Sequence, residues 1–301
     1  MAWAQRWDIP VTSNDFWFYL EALADFQMGS RSCCKWKIEQ HIDDILANAK
    51  HFDSGVIFAG DIEDEDRPST RKIRAEIAAE RAEVVSRDAE KHVAWLDKEV
   101  VPLLLRLHKG TKYGIMGGVA GHHYTQISAA QNSVQYIYRE LERLTGKPCV
   151  YLGEMVSFMD LRFKHGSGKS VRQVGLLQHG EGGGQTKSST INKLDRAAAG
   201  FSADFYIRGH DCQLVGTKTD QLEARESRGG EPSIACRTKA LLNLGSATMG
   251  YEMRKDSTSY IESAMMRPAT MGWGTMKFRI RKALKGEDPY ENLRADIKLE
   301  F

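Results

Sequence analysis

The sequence predicts an α/β fold, a four-layer α-β-β-α sandwich of two mixed β-sheets flanked by helices. Three observations predict it. The first half of the 301-residue chain reads β-α-β-α-β, and helices between consecutive strands imply parallel pairing. The second half is hairpin-rich β with one helix, which implies a second sheet. Five short apolar runs, spread over most of the chain, end abruptly in an Asp or a His. Parallel strands deliver such ends to a common edge, where α/β proteins place their chemistry.

The elements follow in order. Residues 20–24 form a strand that ends at Asp25. A helix over 36–48 carries Ile38, Ile42, Ile45 and Leu46 on one stripe. A strand over 56–60 ends at Asp61. Residues 68–107 read as a long charged helical region, opened by Pro68-Ser69-Thr70, with Ile73, Ile77, Val84, Val93, Leu96 and Val100 as its apolar positions. Pro102 kinks or restarts it. The strand at 113–116 leads into Gly121-His122-His123, and a helix fits 127–145. Three successive strands are expected at 149–152, 155–163 and 172–178, with Gly153-Glu154 and 165–169 as hairpin turns. The third runs into His179-Gly180. A helix at about 189–200 and a strand at 204–208, into Gly209-His210, come next. Strands at 213–216 and 275–281 close the pattern, joined by a polar loop around 223–231. The expected organisation is one domain over 1–284 with a helical insertion at about 65–110, and a surface tail over 285–301.

Net charge is +2, from 42 basic and 40 acidic residues, so the molecule as a whole is not a polycation built for nucleic acid. The first residues hold no apolar core of signal-peptide length, and no run reaches the ~18 apolar residues of a membrane span. The five cysteines, Cys33, Cys34, Cys149, Cys212 and Cys236, form no CxxC pair, which suits unpaired thiols in a reducing compartment. A cytoplasmic protein without membrane partners is the expectation.

Chemistry concentrates at the five strand ends. Asp and His are costly to bury uncompensated and are common ligands of divalent metals. Gly60-Asp61-Ile62-Glu63-Asp64 has the pattern GDxxD, in which the Gly lets the chain turn sharply at the strand end. Asp25-Phe26-Gln27-Met28-Gly29 has the pattern DxQxG; in an extended backbone Asp25 and Gln27 share a face. Gly121-His122-His123-Tyr124 places a His pair at a Gly turn. His179-Gly180-Glu181-Gly182-Gly183-Gly184 permits close backbone approach, and Gly209-His210-Asp211-Cys212 completes the set. His41, His51, His92 and His108 read as surface or core residues of helices, and Trp3, Trp7 and Trp17 as N-terminal packing with base stacking as the alternative.

In sequence order these motifs resemble the calcineurin-like metallophosphoesterases, whose pattern runs DxH, GDxxD, GNH(D/E), a later H, then GHxH. The match covers roughly residues 15–217. The stretch from His179 through Gly184, with Thr186, Ile191-Asn192-Lys193-Leu194, Ala203-Asp204 and Gly209-His210-Asp211, is also similar to a phage and bacterial branch described as DNA phosphoesterases. So is Ser259-Tyr260 through Arg267-Pro268. The resemblance implies two divalent metal ions, Mn, Zn or Fe. Asp61 would bridge them. Asp25 and Gln27 would hold the first, with Cys212 at its last ligand position. His122, His179 and His210 would hold the second, and His123 would be the catalytic proton donor.

Three positions depart from the pattern: Gln27 for His, His122 for Asn and Cys212 for His. The second site is therefore expected to be stronger than the first, whose Gln is a weak ligand and whose Cys favours softer metals. The implied activity is a phosphodiesterase or nuclease-type hydrolysis by a metal-bridging hydroxide, on DNA or a nucleotide. The alternatives are a phosphomonoesterase and a non-catalytic module with a degenerate first site. Gly182 to Gly184, Arg31 and Lys187 are candidate phosphate contacts. The 68–107 helices offer a solvated face or a homo-oligomer interface.

Overall fold

The computed structural model describes residues 4–30, 32–64, 82–166, 168–181, 186–226, 232–248, 271–282 and 293–301. It contains two six-stranded mixed sheets with helices outside, the predicted sandwich. The first sheet is built on β2 (Asp15–Leu23), β3 (Asp53–Ala59), β4 (Ile115–Val119) and β7 (Val150–Tyr151), all parallel. On the other side of β2 it is extended by antiparallel β13 (Gly274–Lys282) and β14 (Leu293–Glu300). The second sheet has the order β1 (Ala4–Val11), β8 (Val156–His165), β9 (Ser170–His179), β10 (Phe205–Gly209), β12 (Pro232–Asn243), β11 (Val215–Glu226). A two-stranded hairpin of β5 (Gln126–Ser128) and β6 (Gln131–Asn132) stands apart.

Burial explains why these runs are strands. β3 is buried at every position but its first and β4 throughout, as expected of central parallel strands covered on both faces. Between the sheets, Phe18 and Phe278 of the first meet Phe163 and Phe205 of the second, with ring centroids 5.2 to 5.8 Å apart for Phe205–Phe278, Phe163–Phe278 and Phe18–Phe163. Such aromatic pairs add to plain area burial. Helix α5 (Lys187–Gly200) covers the outer face of the second sheet, packing Leu194 and Ala198 on Leu176, Tyr206 and Leu241. The helices beside the first sheet are α1 (Lys35–Asn48), α3 (Val101–Gly110) and α4 (Ser133–Thr145). They bury Ile38, Ile42 and Ile45, Leu104 and Leu107, and Ile137 and Leu141.

The helical region after β3 is described from residue 82. Helix α2 (Ala82–Trp95) passes through a π-helical turn (Leu96–Val100) into α3. The restart expected at Pro102 takes this form: Pro102 sits in the first turn of α3, where its missing N–H is not needed. Residues 65–81, including Pro68-Ser69-Thr70, lie outside the described residues.

Four expectations change. The helix expected over 127–145 begins at Ser133, behind a capping box in which Asn132 Oδ1 accepts from Gln135 N and Gln135 Oε1 from Asn132 N; the β5–β6 hairpin takes up 126–132. Gly153-Glu154 is no hairpin turn, because β7 and β8 lie in different sheets. β1 and β12 are additional strands, and β11 runs to Glu226 and pairs with β12 where a polar loop was expected. Leu293–Glu300, expected within a surface tail, pairs along its length with β13. No helix among the described residues is long and apolar enough to cross a membrane.

Candidate metal centre

All seven residues assigned as metal ligands from the sequence sit at strand ends or on the loops that follow them, at one edge of the sandwich. Asp25 and Gln27 follow β2, Asp61 follows β3 and His122 follows β4. His179 ends β9, and His210 and Cys212 follow β10. The backbone continues to pair just beyond the first sheet: Asp25 N donates to Gly60 O, Gln27 N to Asp61 O and Asp61 N to Ala120 O, at 3.0, 3.0 and 2.9 Å. Gly121 N donates to Glu154 O at 2.8 Å, so the turn misread as a hairpin pins the His122-His123 loop.

Backbone strain marks the same edge. Among the described residues, the non-glycine residues with positive φ are Asp25 (52°), Gln27 (46°), Asp61 (54°), His210 (79°) and Cys212 (49°). Each is a sequence-assigned ligand. A non-glycine residue is held there only where its surroundings over-determine it, which happens mainly at functional sites.

Asp61, His122, His179 and His210 each offer a ligand atom, and these atoms lie within 4.8 Å of one another. The three imidazoles stand edge to face, with centroids 4.7 to 5.1 Å apart. Asp61 divides its oxygens. Oδ1 accepts from the backbone N–H groups of His122 and His123, at 2.7 and 2.8 Å. Oδ2 is buried without a hydrogen bond and lies 3.1 Å from His179 Nε2. The ring of His179 is fixed from behind: Nδ1 is 2.7 Å from Ala59 O and must donate to it, leaving Nε2 for a ligand, the usual support of a metal-binding His. Two glycines make the close approach possible. A Cβ on Gly121 (φ +85°) would lie 2.2 Å from Asp61 Oδ1, and one on Gly60 (φ +98°) 2.5 Å from His179 Nδ1.

The donor chemistry suits a divalent cation. Asp25 Oδ1 is buried without a hydrogen bond, a costly state for a polar atom unless another partner is provided for, and Asp61 Oδ2 and His179 Nε2 are buried facing each other at 3.1 Å. Burial lowers the pKa of His122 and His210, helped by the nearby His179, and His210 falls to about 4. Both rings are therefore neutral ligands at neutral pH. Burial would lower His179 as well, but the Asp61 carboxylate outweighs it and raises the ring to about 9. Burial would raise Asp61, yet the charges of His179 and His123 and the His123 backbone N–H hold it well below the usual range. A metal must displace the His179 proton. Uptake of a divalent ion at pH 7.5 is thus expected to release about one proton, and apparent affinity should climb with pH up to about 9. Calorimetry in buffers of different ionisation enthalpy would measure the release; none at pH 7.5 would remove His179 from the ligand set.

The residues assigned to the first metal are arranged differently. Asp25 Oδ2 accepts from His210 N at 2.9 Å while Oδ1 is left over, and burial, with repulsion from Asp61, pushes its pKa up to about 7. Gln27 Oε1 already accepts from Thr248 Oγ1 at 2.9 Å. Burial and the Asp25 charge push the Cys212 thiol well above its usual range, and its Sγ donates to His210 O at 3.5 Å. Asp25 and Cys212 fall outside the 4.8 Å cluster. Asp211 does not stand in for Cys212: it is held by Arg208 Nη1 at 2.6 Å and Lys193 Nζ at 2.8 Å.

His123 stands at the rim, with Nδ1 2.9 Å from Asp64 Oδ1 and Nε2 3.7 Å from Asp61 Oδ2. Lys187 opens α5 and is exposed, whereas Arg31 and Gly182 to Gly184 lie outside the described residues. Trp7 packs on the core and Trp17 lies under Arg279 and Lys298; Trp3 is outside the described residues. Sequence reading missed Ser246 and Thr248. Ser246 Oγ donates to Asp25 O at 3.0 Å and lies 2.9 Å from Thr248 Oγ1, and Thr248 holds Gln27. Both follow β12, the strand that was not foreseen.

No family model matches the chain, and no curated protein matches it. Among solved structures it is similar to a conserved uncharacterized protein, a predicted phosphoesterase, from Streptococcus pneumoniae TIGR4. That match has 14% identity and a TM-score of 0.30, covering 94% of this chain and 98% of that one. It is similar to Vps29 from Chaetomium thermophilum at 13% identity and TM-score 0.31, covering 95% and 97%. It is similar to the calcineurin-like phosphoesterase YfkN from Bacillus subtilis at 9% identity and TM-score 0.35, covering 94% and 91%. At such identities and scores the fold and the site rest on the chain's own topology and geometry.

Proposed function

We propose that this chain is a metal-dependent phosphoric ester hydrolase that favours phosphodiesters. The observation that carries the reading is the convergence of ligand atoms of Asp61, His122, His179 and His210 within 4.8 Å of one another. Those four residues would hold the stronger metal. Asp61 and Asp25, with Gln27 and Cys212, would hold the weaker. Divalent ions there, Mn, Zn or Fe, would lower the pKa of the attacking water and offset charge on the phosphoryl oxygens. The chain's own contribution is placement and protonation. Asp61 Oδ1 fixes the His122-His123 loop. In hydrolysis a P–O bond forms to the water oxygen, whose proton passes to solvent, and the P–O bond to the leaving oxygen breaks; His123, oriented by Asp64, supplies the proton that the leaving oxygen takes up and regains one from solvent. The preference for diesters, and for DNA or nucleotides among them, is supported by the motif resemblance.

A second reading, a non-catalytic module that binds one metal, is favoured by one observation: Gln27 and Cys212 are both engaged with protein groups. One experiment separates the two. The purified chain is loaded with Mn, Zn or Fe(II) separately, its metal counted, and bis-p-nitrophenyl phosphate, p-nitrophenyl phosphate and single-stranded DNA assayed. The expected result is diester turnover above monoester turnover with at least one metal. No turnover with any metal, at one ion per chain or less, would establish the non-catalytic reading instead.

A further inference from the structure

A cavity of about 270 Å³ lies beside the first metal-ligand loop, walled by Met28, Cys33 and Trp95, with Ser30, Lys35 and Glu99 at its polar margin. We propose that it is a subsite for one nucleobase of the substrate; the proposal rests on the phosphoesterase reading and names the substrate class for it.

The position fits. Met28 follows Gln27 directly and is tied to the Asp61 loop on both sides, its N donating to Ile62 O at 3.1 Å and its O accepting from Asp64 N at 2.7 Å. The opposite wall is tied to the same loop through His92. Its ring lies 5.5 Å from that of Trp95, and its Nε2 is 3.6 Å from Glu63 Oε1. Glu63 Oε1 also accepts from Thr125 N at 2.9 Å, two residues past His123. Both walls of the cavity are therefore tied to the loops that carry Gln27, Asp61 and His123.

The chemistry fits a base. Trp95 is partly exposed and offers an indole, on which bases stack whatever their sequence. Met28 adds a polarisable thioether. The Cys33 thiol, pushed up to about 12 by burial and by Cys34, leaves that wall neutral. At the margin Lys35 Nζ donates to Glu99 Oε2 at 2.9 Å; the remaining ammonium hydrogens and the second carboxylate oxygen stand as a donor beside an acceptor, which matches the alternating donors and acceptors of a base edge. The volume is just under the ~300 Å³ at which small-molecule pockets begin, enough for one ring system. The helix is built for this display. The π turn begins directly after Trp95 and contains Glu99, and single π turns inside α-helices are frequent at functional sites.

The test uses adenosine, which has no phosphate, on the metal-free chain, and two diesters on the metal-loaded chain: thymidine 5′-p-nitrophenyl phosphate and methyl p-nitrophenyl phosphate. Saturable adenosine binding is expected, weakened about 5- to 150-fold by Trp95→Leu and largely kept by Trp95→Phe. Trp95→Leu should also lower the ratio of kcat/KM for the nucleoside ester over the methyl ester by a factor in that range. If Trp95→Leu does not fold, Glu99→Leu is read in its place and should weaken adenosine binding. No saturable binding to the wild type, or equal binding by correctly folded variants, overturns the subsite. Hydrolysis of both esters without adenosine binding defeats the subsite and spares the phosphoesterase reading. Adenosine binding without hydrolysis of either ester does the reverse.

Discussion

Asp61→Asn is expected to remove phosphoester turnover and most bound metal while leaving the fold intact. The substitution is isosteric, and the two oxygens of Asp61 do different work. Asn keeps an oxygen where Oδ1 accepts from His122 N and His123 N, so the loop stays pinned. The NH2 group takes the place of Oδ2, the buried oxygen without a hydrogen bond 3.1 Å from His179 Nε2. An amide N–H donates and cannot ligate a cation. The charge is lost as well, so the position no longer attracts a divalent cation. Without Asp61 the His179 ring also loses the main cause of its raised pKa, so its titration should fall from about 9 towards or below its ordinary value. Metal content by elemental analysis, His179 titration by NMR and diester turnover would all report. Wild-type metal content in the variant would take Asp61 out of the centre.

The sandwich and the convergence of Asp61, His122, His179 and His210 were legible in the sequence, and individual strands less so. Asp25, Asp61, His122, His179 and His210 were visible because each follows a short apolar run, and a strand end is where an α/β fold brings remote residues together. What lay between the runs was harder to read. β12 was hidden by its own composition: Lys239 is buried within it, its Nζ donating to Ala198 O and Tyr206 Oη at 3.1 and 3.3 Å, so the strand does not read as an apolar run. Its partner β11 exposes Leu222, and β12 exposes Ile234, at 72% and 77%, which breaks the alternation that marks a half-buried strand. Missing β12 meant missing Ser246 and Thr248. At Gly153-Glu154 the local signal was right, a turn, but whether a turn joins neighbours in one sheet or crosses to another is set by tertiary packing. Trp95 was passed over, and His92 read only as a surface or core residue, for the same reason: what makes them notable is Glu63 and the cavity, neither of which is near them in sequence.

His123→Ala is expected to lower turnover by about 10²- to 10⁴-fold, the usual range for general acid–base catalysis, and to leave metal content near wild type. The two halves of this expectation come from different atoms of one residue. What holds the loop at residue 123 is the backbone N–H, which donates to Asp61 Oδ1 at 2.8 Å, and alanine keeps it. What is lost is the ring, which stands outside the cluster of Asp61, His122, His179 and His210, with Nδ1 against Asp64 Oδ1 at 2.9 Å and Nε2 3.7 Å from Asp61 Oδ2. A ring that gives its proton to the leaving oxygen matters in proportion to how much that oxygen needs it. The loss should therefore be large for an alkyl diester and small for bis-p-nitrophenyl phosphate, whose phenolate leaves without protonation. A ring that merely steadied the phosphate would cost both substrates alike. Equal losses would make His123 a positioning residue, and loss of metal with the ring would make it a ligand. Asp64→Asn should reproduce the leaving-group dependence in weaker form, because it removes the charge that orients the ring while leaving the ring in place.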